Sequence, residues 1–539
     1  MTILKNIDKM IINKKCKIMN KHLLIYRCKF CFCLVIILIV CNSDDLFAQQ
    51  NFLSLNHQMN ISINYSINCK KKSINTGFKP LLQSDINLYF NSDSVIYKQE
   101  RTERFLQKNR TNWIWRKMFF EDFVYVKQKN FRLSINPLFY LEYGKQNDTS
   151  KIFTINTRGV EIKADIGKKV SFYSNFRENQ AFFRPYITEW TNIRLVAPGQ
   201  GSWKRFKTSG FDFSSSVAYI SITPIKWANI QVGNDKNFIG EGYRSLLLSD
   251  NSFNYPFLKI SLNYKNFKYV AMISQFEDFL KVYYDYHYKK HFSVNYLSYS
   301  LNNRIEIGLF EGAIFKSTNG IDYSNKIPFD FFVPIIGVHS LRYRFKDENK
   351  VLVGLNTKIK ATNFVQFYGQ LAVDDFKKSN YAYQIGTKVF DLLHNKLKNQ
   401  KIYLQFEYNN SESNTYKSVE PFQAWSNYNQ ELAHPSGNNF TEIYADVNYS
   451  FRNFFIDFKY NNIKLNKNNL SSNIFSNFDN QIFYTSNVSH KTISCGWIVN
   501  PRTNLQFYSG IDIRTQNSIT EKFLYFGIRT NITNYYYDY

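Results

Sequence analysis

Apolar and polar residues alternate with a period of two over long stretches of the chain. Successive side chains of a β-strand point to opposite faces, so this period predicts strands with one apolar and one polar face. The clearest examples lie within residues 401–408, 442–451 and 454–460, and Arg452-Asn453 is predicted to form the tight turn between the last two. The apolar faces consist of Ile402, Leu404, Phe406 and Tyr408; of Ile443, Ala445, Val447, Tyr449 and Phe451; and of Phe454, Ile456, Phe458 and Tyr460.

The composition indicates where such strands lie. Aromatic residues make up 18% of the chain, with 39 Tyr and 50 Phe, although the mean hydropathy is −0.38. Barrels in membranes place phenyl rings against lipid and tyrosines at both interfaces, so the chain is predicted to be all-β, a transmembrane outer-membrane β-barrel. A soluble β-sandwich would have to bury far more rings. No fixed repeat of 20 to 50 residues supports a propeller or solenoid.

The first 48 residues predict an export signal. Eight Lys/Arg precede an apolar core of eleven residues, 30–40, which is shorter than the roughly 20 residues that a membrane-spanning helix needs. Ala48 is the predicted cleavage point. The alternative is lipidation at Cys41, but Val40 is larger than the residue expected before a lipidated cysteine.

The remaining 491 residues divide into two parts. Residues 49–112 predict a short helical or irregular segment, periplasmic or lumenal, with a charged helix over 100–110. Residues 113–539 predict the barrel, with roughly 16 to 18 antiparallel strands at about 25 to 30 residues per strand and connection. A TonB-dependent importer, with about 22 strands and a plug, does not fit this length. Long polar insertions at 196–210, 316–328, 409–440 and 464–480 predict extracellular loops. Alternation resumes over 524–532, and the chain closes on five residues of which four are Tyr. An aromatic end to the last strand is typical of outer-membrane barrels.

Charge and cysteine content limit the partners. Removing residues 1–48 leaves 60 Lys/Arg and 39 Asp/Glu, a net charge of about +21. For an exported protein this favours outer-membrane lipid headgroups and anionic surface polysaccharide over nucleic acid. Only Cys69 and Cys495 remain, which excludes a disulfide framework and leaves open whether these two pair.

The least ordinary stretch is residues 233–250, where glycines are mixed with charges. Asp235, Lys236, Glu241 and Arg244 are candidate ligand-binding residues within the lumen or a loop. The alternative is a charged network that braces the barrel wall or an inward-folded loop, and we favour this structural role. Gly240-Glu241-Gly242 lacks the third glycine and the Lys-Ser/Thr ending of a phosphate loop.

A second charged group surrounds Arg177 and Arg184, which are candidates for contact with an anionic polymer; binding and structural roles both stay open here. The histidines show no metal-ligand spacing, and no nucleophile motif occurs. The sequence therefore predicts no metal, no cofactor and no catalytic residue.

With these residues in view, the chain resembles the outer-membrane barrels of gliding bacteria related to the gliding-motility protein RemB and to the capsule-assembly Wzi family. The matching blocks are residues 77–80, 135–138, 156–159, 235–250, 368–376 and 428–440. The most specific are 238–246 and 432–435, whereas Ser436 and Asn438 depart from the pattern.

The resemblance implies an eighteen-stranded barrel with an N-terminal helical element and no catalysis. The capsule relatives imply a lectin-like role in attaching polysaccharide to the cell surface, and the motility relative implies a surface part in gliding, with gliding or secretion machinery as partners. We expect capsule or surface polysaccharide assembly or attachment. The alternatives are a gliding-motility-associated surface protein, a diffusion porin and, resting on fold versatility alone, an embedded hydrolase.

Overall fold

Eighteen antiparallel strands form a closed barrel, as the sequence predicts. The computed structural model describes residues 50–72, 74–97, 112–147, 149, 151–279, 287–315, 327–343, 349–375, 380–392, 399–418, 423–466, 486–531 and 534–538. The predicted export signal and the predicted charged helix over 100–110 lie outside these residues.

The barrel strands, numbered in chain order, have the following bounds. They are β1 Phe131–Gln146, β2 Ile152–Ile166, β3 Val170–Phe182, β4 Gly210–Ile225, β5 Ala228–Asp235, β6 Tyr255–Tyr264, β7 Phe267–Phe279, β8 His287–Ser300, β9 Ile305–Phe315, β10 Lys350–Lys360, β11 Val365–Asp375, β12 Asn380–Val389, β13 Gln400–Ser411, β14 Phe440–Phe451, β15 Phe454–Leu465, β16 Ser486–Asn500, β17 Leu505–Gln516 and β18 Ile519–Arg529. Strand β18 pairs with β1, and this pairing closes the barrel.

The predicted alternation is confirmed on β13, β14 and β15. Phe406 is 48% exposed on the outer wall, whereas the next residue, Glu407, is fully buried in the lumen. Arg452 and Asn453 form the predicted turn, with Arg452 at φ 56°. The outer wall is therefore apolar and the inner wall polar, as lipid outside and polar groups inside require.

The two ends of the barrel differ in their connections. At one end the strands are joined by turns of two to four residues, except for 390–399. The other end carries long connections such as 183–209, 236–254, 316–349 and 412–439. The flanking strands place all four predicted loops at this second end, although residues 316–326 and 467–485 are not among those described. Short periplasmic turns and longer extracellular loops are typical of outer-membrane barrels.

Six helices and six short strand segments complete the described chain. The helices are α1 His57–Asn68, α2 Gln83–Asn87, α3 Ser92–Tyr97, α4 Trp113–Phe119, α5 Pro185–Arg194 and α6 Val338–Tyr343, with a 3₁₀ turn at Phe329–Phe332. The short segments are Phe78–Lys79 paired with Phe238–Ile239, Ser426–Asn427 paired with Gln430–Glu431, Lys204–Phe206, and Val124–Gln128. None of the described helices has the length and apolar content needed to cross a bilayer.

Residues 50–97 lie across the short-turn end of the lumen. Asn51 donates to Asp165 at 2.9 Å near the end of β2, and Asn68 donates to the carbonyl of Asn363 at 2.7 Å in the turn after β10. Residues 113–119 form helix α4, Val124–Gln128 pairs with the start of β1, and the first full-length wall strand begins at Phe131. The predicted boundary between residues 112 and 113 stays a prediction.

The tyrosine-rich end does not extend the last strand. Strand β18 ends at Arg529, and residues 534–538, called the tail segment below, lie inside the lumen. Tyr536 donates to Asp250 at 2.7 Å, and Tyr535 stacks on Tyr140 with ring centroids 6.0 Å apart. The predicted aromatic end of a wall strand is therefore replaced by aromatic packing within the barrel.

Candidate functional site

The lumen is occupied by an inward-folded connection between β5 and β6, residues 236–254, called the inner loop below. Its segment Phe238–Ile239 pairs with Phe78–Lys79 of the N-terminal region. Leu246, Leu247 and Leu248 are fully buried in the largest apolar cluster of the molecule. Trp425 donates to the carbonyl of Leu247 at 3.1 Å, which joins the inner loop to loop 412–439. Leu432 and Ala433 lie in the same cluster, so the sequence blocks 77–80, 235–250 and 428–440 meet in one place.

Arg244 carries a fully buried positive charge on the inner loop. Its guanidinium donates to Oε1 of Glu442 at 2.5 Å and to Oδ1 of Asp538 at 2.6 Å. His434 Nε2 lies 2.7 Å from the other carboxylate oxygen of Glu442. Burial alone would lower the pKa of Arg244, but the charges of Asp538 and Glu442 raise it above its ordinary value. Arg244 therefore ties the inner loop to β14 and to the tail segment.

Glu241 belongs to a second buried cluster on the inner loop. It accepts a hydrogen bond from Thr76 Oγ1 and lies 3.1 Å from Nζ of Lys79. Burial alone would raise the pKa of Glu241, but the positive charges of Lys79, Lys358 and Lys388 lower it to about 2. The carboxylate therefore stays ionised and holds the N-terminal region against the inner loop.

Lys236 is the first residue of the inner loop and follows Asp235, the last residue of β5. The Lys236 ammonium donates to the carbonyls of Gly199 and Asp250, each at 2.9 Å, and burial lowers the pKa of Lys236 to about 8. Asp235 Oδ1 accepts the backbone N–H of Lys236 at 2.8 Å. Lys236 thereby joins the inner loop to the loop after α5.

Arg177 lies on the inner face of β3, and Arg184 lies between β3 and α5. Arg184 precedes α5, forms an ion pair with Asp512, and lies over the ring of Phe153 at 4.9 Å. Arg177 on β3 is 2% exposed and donates to the hydroxyl of Tyr535 at 3.3 Å.

All six sequence-predicted residues therefore lie in the lumen, where five of them contact other parts of the protein and Asp235 accepts from the adjacent backbone N–H of Lys236. Asp235, Lys236, Glu241 and Arg244 lie on or beside the inner loop, while Arg177 and Arg184 lie on the wall near the tail segment. These contacts support the structural role, and ligand binding by these residues stays a prediction.

Cavities remain between α1 and the inner faces of the last six strands, β13–β18. One of about 360 Å³ lies toward the short turns and is lined by residues including Tyr403 and Arg452. A second, of about 220 Å³, is lined by residues including Arg184, Lys459 and His490. His490 is 2% exposed, and its Nδ1 lies 3.5 Å from Oδ1 of Asp512. Of the predicted residues, Arg184 faces this second cavity.

A basic and aromatic surface at the long-loop end was missed by the sequence prediction. We call Trp203, Lys204, Arg205, Phe206 and Lys207 the rim patch. Lys204, Arg205 and Lys207 are exposed, and Trp203 anchors the patch because its indole donates to the carbonyl of Thr191 at 3.3 Å. The signal was present within the predicted loop 196–210, as three basic and two aromatic residues in succession.

The geometry of the rim patch suits an anionic partner with apolar faces. Arg205 lies 5.5 Å from the ring of Trp203, and Lys207 lies 5.3 Å from the ring of Phe206. No described carboxylate lies within ion-pair distance of the three basic side chains. Cations held beside rings can pair with carboxylates while the rings pack against the C–H faces of a sugar.

The described residues contain no group of three or more His, Cys, Asp or Glu side chains placed to hold a metal ion. Cys69 and Cys495 are both free thiols; Cys69 lies beside the turn after β10, and Cys495 faces outward on β16. The question of their pairing is thereby answered: they do not form a disulfide.

The apolar outer wall, the polar lumen and the unequal ends define a closed antiparallel barrel of the outer-membrane type. Its fold is similar to that of Wzi of Escherichia coli, described as an outer membrane protein involved in group 1 capsule assembly and a carbohydrate-binding β-barrel, with a TM-score of 0.58 and 11% identity over 90% of this chain and 100% of that chain. Two further barrels, OccAB2 of Acinetobacter baumannii and OpdK of Pseudomonas aeruginosa, match with TM-scores of 0.40 at 11% and 10% identity. They cover 74% and 76% of this chain and 97% and 99% of their own.

The chain matches no known protein family and no curated protein sequence. At 11% identity the similarity to Wzi establishes the fold. The relation to gliding-motility proteins stays a prediction.

Proposed function

We propose that this protein is a non-enzymatic barrel of the bacterial outer membrane that holds anionic surface polysaccharide at the cell surface. The observation that carries the proposal is the rim patch, which lies at the long-loop end above a lumen filled by the inner loop and the tail segment. A barrel filled by its own chain suits an anchor better than a wide diffusion channel. The carbohydrate-binding description of Wzi supports the same class of ligand.

Basic side chains and aromatic rings of the protein both contribute to polymer binding. The net charge of about +21 that remains after residues 1–48 are removed attracts an anionic polymer within about one Debye length, roughly 30 Å at 0.01 M salt. At the surface, Lys204, Arg205 and Lys207 pair with its carboxylates or phosphates, while Trp203 and Phe206 pack against sugar rings. Because the basic side chains are exposed, salt weakens this binding.

The test is binding of the purified barrel to the anionic surface polymer of the cells that make it. The variant Lys204→Gln/Arg205→Gln/Lys207→Gln is expected to lose most of the salt-sensitive retention. A matched control, Lys226→Gln/Lys265→Gln/Arg304→Gln, removes the same charge from exposed turns at the opposite end and is expected to bind like the wild type. Equal retention by both variants, or no salt-sensitive retention of the wild type, contradicts the proposal.

A diffusion porin is the alternative that a specific observation favours. The cavities of about 360 and 220 Å³ share lining residues, including Gln58 and Phe455, and together they follow one wall of the lumen. An ion conductance in planar bilayers comparable to that of open porins would favour this alternative. Deletion of the gene that leaves the capsule normal but abolishes spreading on agar would instead favour a gliding-associated role.

A further inference from the structure

Three polar residues on β8 and β9, Ser293, Asn295 and Glu311, face outward within the apolar outer wall. Residues that are direct cross-strand neighbours on β6 to β11 form rows across the outer face of the barrel. In one such row every side chain is apolar or aromatic: Leu262, Tyr269, Leu297, Leu309, Leu355 and Leu371. The next row contains Ile260, Ala271, Asn295, Glu311, Val353 and Val373. Ser293, on the row beyond, adds a third polar side chain. A carboxylate and a carboxamide thus stand where the flanking strands present apolar groups to lipid.

These polar groups are covered by residues 327–343, called the outer flap below. Glu311 accepts the backbone N–H of Gly337 at 2.9 Å and that of Ser340 at 2.7 Å, and its Oε2 lies 3.4 Å from Nδ1 of His339. Asn295 donates to the carbonyl of Val333 at 3.5 Å. The carboxylate is 1% exposed as a result. The flap therefore satisfies the polar groups that bare lipid would leave without partners.

The underside of the flap also packs on the wall through apolar contacts. Phe331 of the flap forms a cluster with Ala313, Phe315 and Val351, and Ile273 of β7 packs against it. These wall residues face outward, because their neighbours Ile314 and Leu352 belong to the apolar cluster in the lumen. The flap therefore lies on the outside of the barrel.

Apolar side chains of the flap are exposed, together with the charged Arg342. Phe329 is 81% exposed, Leu341 is 77%, Ile335 is 57% and Phe332 is 51%. In water, large apolar side chains exposed to this extent would be an aggregation hazard. Beside an apolar wall they extend the lipid-facing surface across the strands where that wall is polar.

We infer that the outer flap is embedded in the outer leaflet and that lipid acyl chains cover Phe329, Phe332, Ile335 and Leu341. Continuity identifies the occupant: the flap lies over a gap in the apolar wall, with lipid-facing strands β6 and β10 on either side. The inference rests on the proposed outer-membrane location, and it adds a lipid contact made by a connection between strands.

Fluorescence quenching tests the inference on the full barrel in lipid bilayers. Each labelled protein keeps one cysteine, which carries a bimane label, and every other cysteine is replaced by serine. In the two test proteins this cysteine is Phe329→Cys or Leu341→Cys. The native Cys495, exposed on the outer face of β16, serves as the lipid-facing reference, and Lys226→Cys in an exposed turn serves as the aqueous reference. Both flap labels are expected to be quenched by brominated acyl chains like Cys495 and to be protected from iodide.

Each other outcome has a distinct meaning. Quenching of the flap labels by iodide, as at Lys226→Cys, overturns the inference. Protection from both quenchers also overturns it, since a second copy of the chain or another protein then covers the flap. If the Cys495 label itself escapes the brominated chains, the proposed location in the membrane is wrong.

The variant Glu311→Ala supplies a second measurement. It removes the acceptor for the flap's two N–H groups, so the label at Leu341→Cys is expected to lose part of its protection from iodide. Ile493→Ala, on the lipid-facing side of β16 and remote from the flap, is the matched control. Unchanged protection in Glu311→Ala would show that the polar contacts do not hold the flap on the wall.

Discussion

The guanidinium of Arg244 and the carboxylate of Glu442 meet at 2.5 Å with both side chains fully buried. Arg244 belongs to the inner loop and Glu442 to the wall strand β14. One ion pair therefore joins the inner loop to the barrel wall. His434 and Asn409 occupy the second oxygen of the same carboxylate, at 2.7 Å each.

Breaking this pair from one side is expected to destabilise the barrel strongly. Arg244→Met leaves the Glu442 carboxylate buried without its main counter-charge, which costs about 3–5 kcal/mol in comparable sites. Urea unfolding of the detergent-refolded protein measures the loss. Arg304→Met, at an exposed turn, is the control and is expected to change stability little. A second variant, Arg244→Met/Glu442→Gln, should recover part of the loss, and a loss no larger than that of the control would show that the pair contributes little.

The carboxylate of Glu241 is expected to make the unfolding free energy of the barrel depend on pH in the acidic range. Its pKa is lowered from the ordinary glutamate value of 4.5 to about 2 in the folded protein. A lowered carboxyl pKa adds stability that is complete above about pH 4.5 and is lost as the pH falls through about 2. The variant Glu241→Gln is therefore expected to be less stable than the wild type at pH 7 and to approach it in stability toward pH 2.

The measurement is the difference in unfolding free energy between the two proteins at several pH values. Glu189→Gln, on the exposed surface of α5, controls for loss of one carboxylate. A difference that is independent of pH would show that the charge of Glu241 does not contribute.

The strands could be predicted from the sequence because lipid and lumen impose opposite polarities on alternate residues. Residues 402–408 follow that rule, and the turn at Arg452-Asn453 lies where the alternation is interrupted. The rule does not predict whether a connection between strands folds into the lumen or onto the outer wall. Residues 236–254 turn inward and residues 327–343 turn outward, and the contacts that decide this, such as Glu311 with Gly337, join residues that are distant in sequence.

Site residues were harder to predict for the same reason. Glu311 lies in an alternating strand, and its position on the outer face becomes intelligible only with the flap on top. The tail tyrosines resemble the end of a wall strand, whereas Tyr536 instead meets Asp250, which is 286 residues away. The rim patch is the exception, because its basic and aromatic residues are contiguous.

A side chain at Gly240 is expected to destabilise the barrel. The φ of Gly240 is +129°, a conformation that L-residues rarely adopt, and an added Cβ would lie 2.3 Å from Nε2 of Gln370. Gln370 cannot move easily, because it donates to Ile239 O at 2.7 Å and accepts from Leu246 N at 2.9 Å. Gly240→Ala should therefore destabilise the barrel by about 1–3 kcal/mol from backbone strain, with the steric clash adding to this.

Gly167→Ala is the matched control for that variant. Gly167 also has a positive φ, +60°, but a Cβ added there would meet no atom within 4 Å. Its cost is expected to be smaller, and the two urea midpoints give the comparison. Equal midpoints would show that Gln370 moves aside and that the inner loop is less tightly held than its contacts indicate.

The tail segment is expected to restrict conductance. Tyr535, Tyr536 and Tyr537 fill the lumen next to the cavity of about 220 Å³, where Tyr186 donates to the carbonyl of Tyr537 at 2.8 Å. Replacing the three tyrosines by serine removes three rings from this region and should raise the single-channel conductance in planar bilayers. The control replaces Tyr383, Tyr408 and Tyr460, which face outward, and is expected to leave conductance unchanged. If the tail variant conducts no better than the wild type, the inner loop and the N-terminal region alone close the lumen, and the tail segment has a purely structural role.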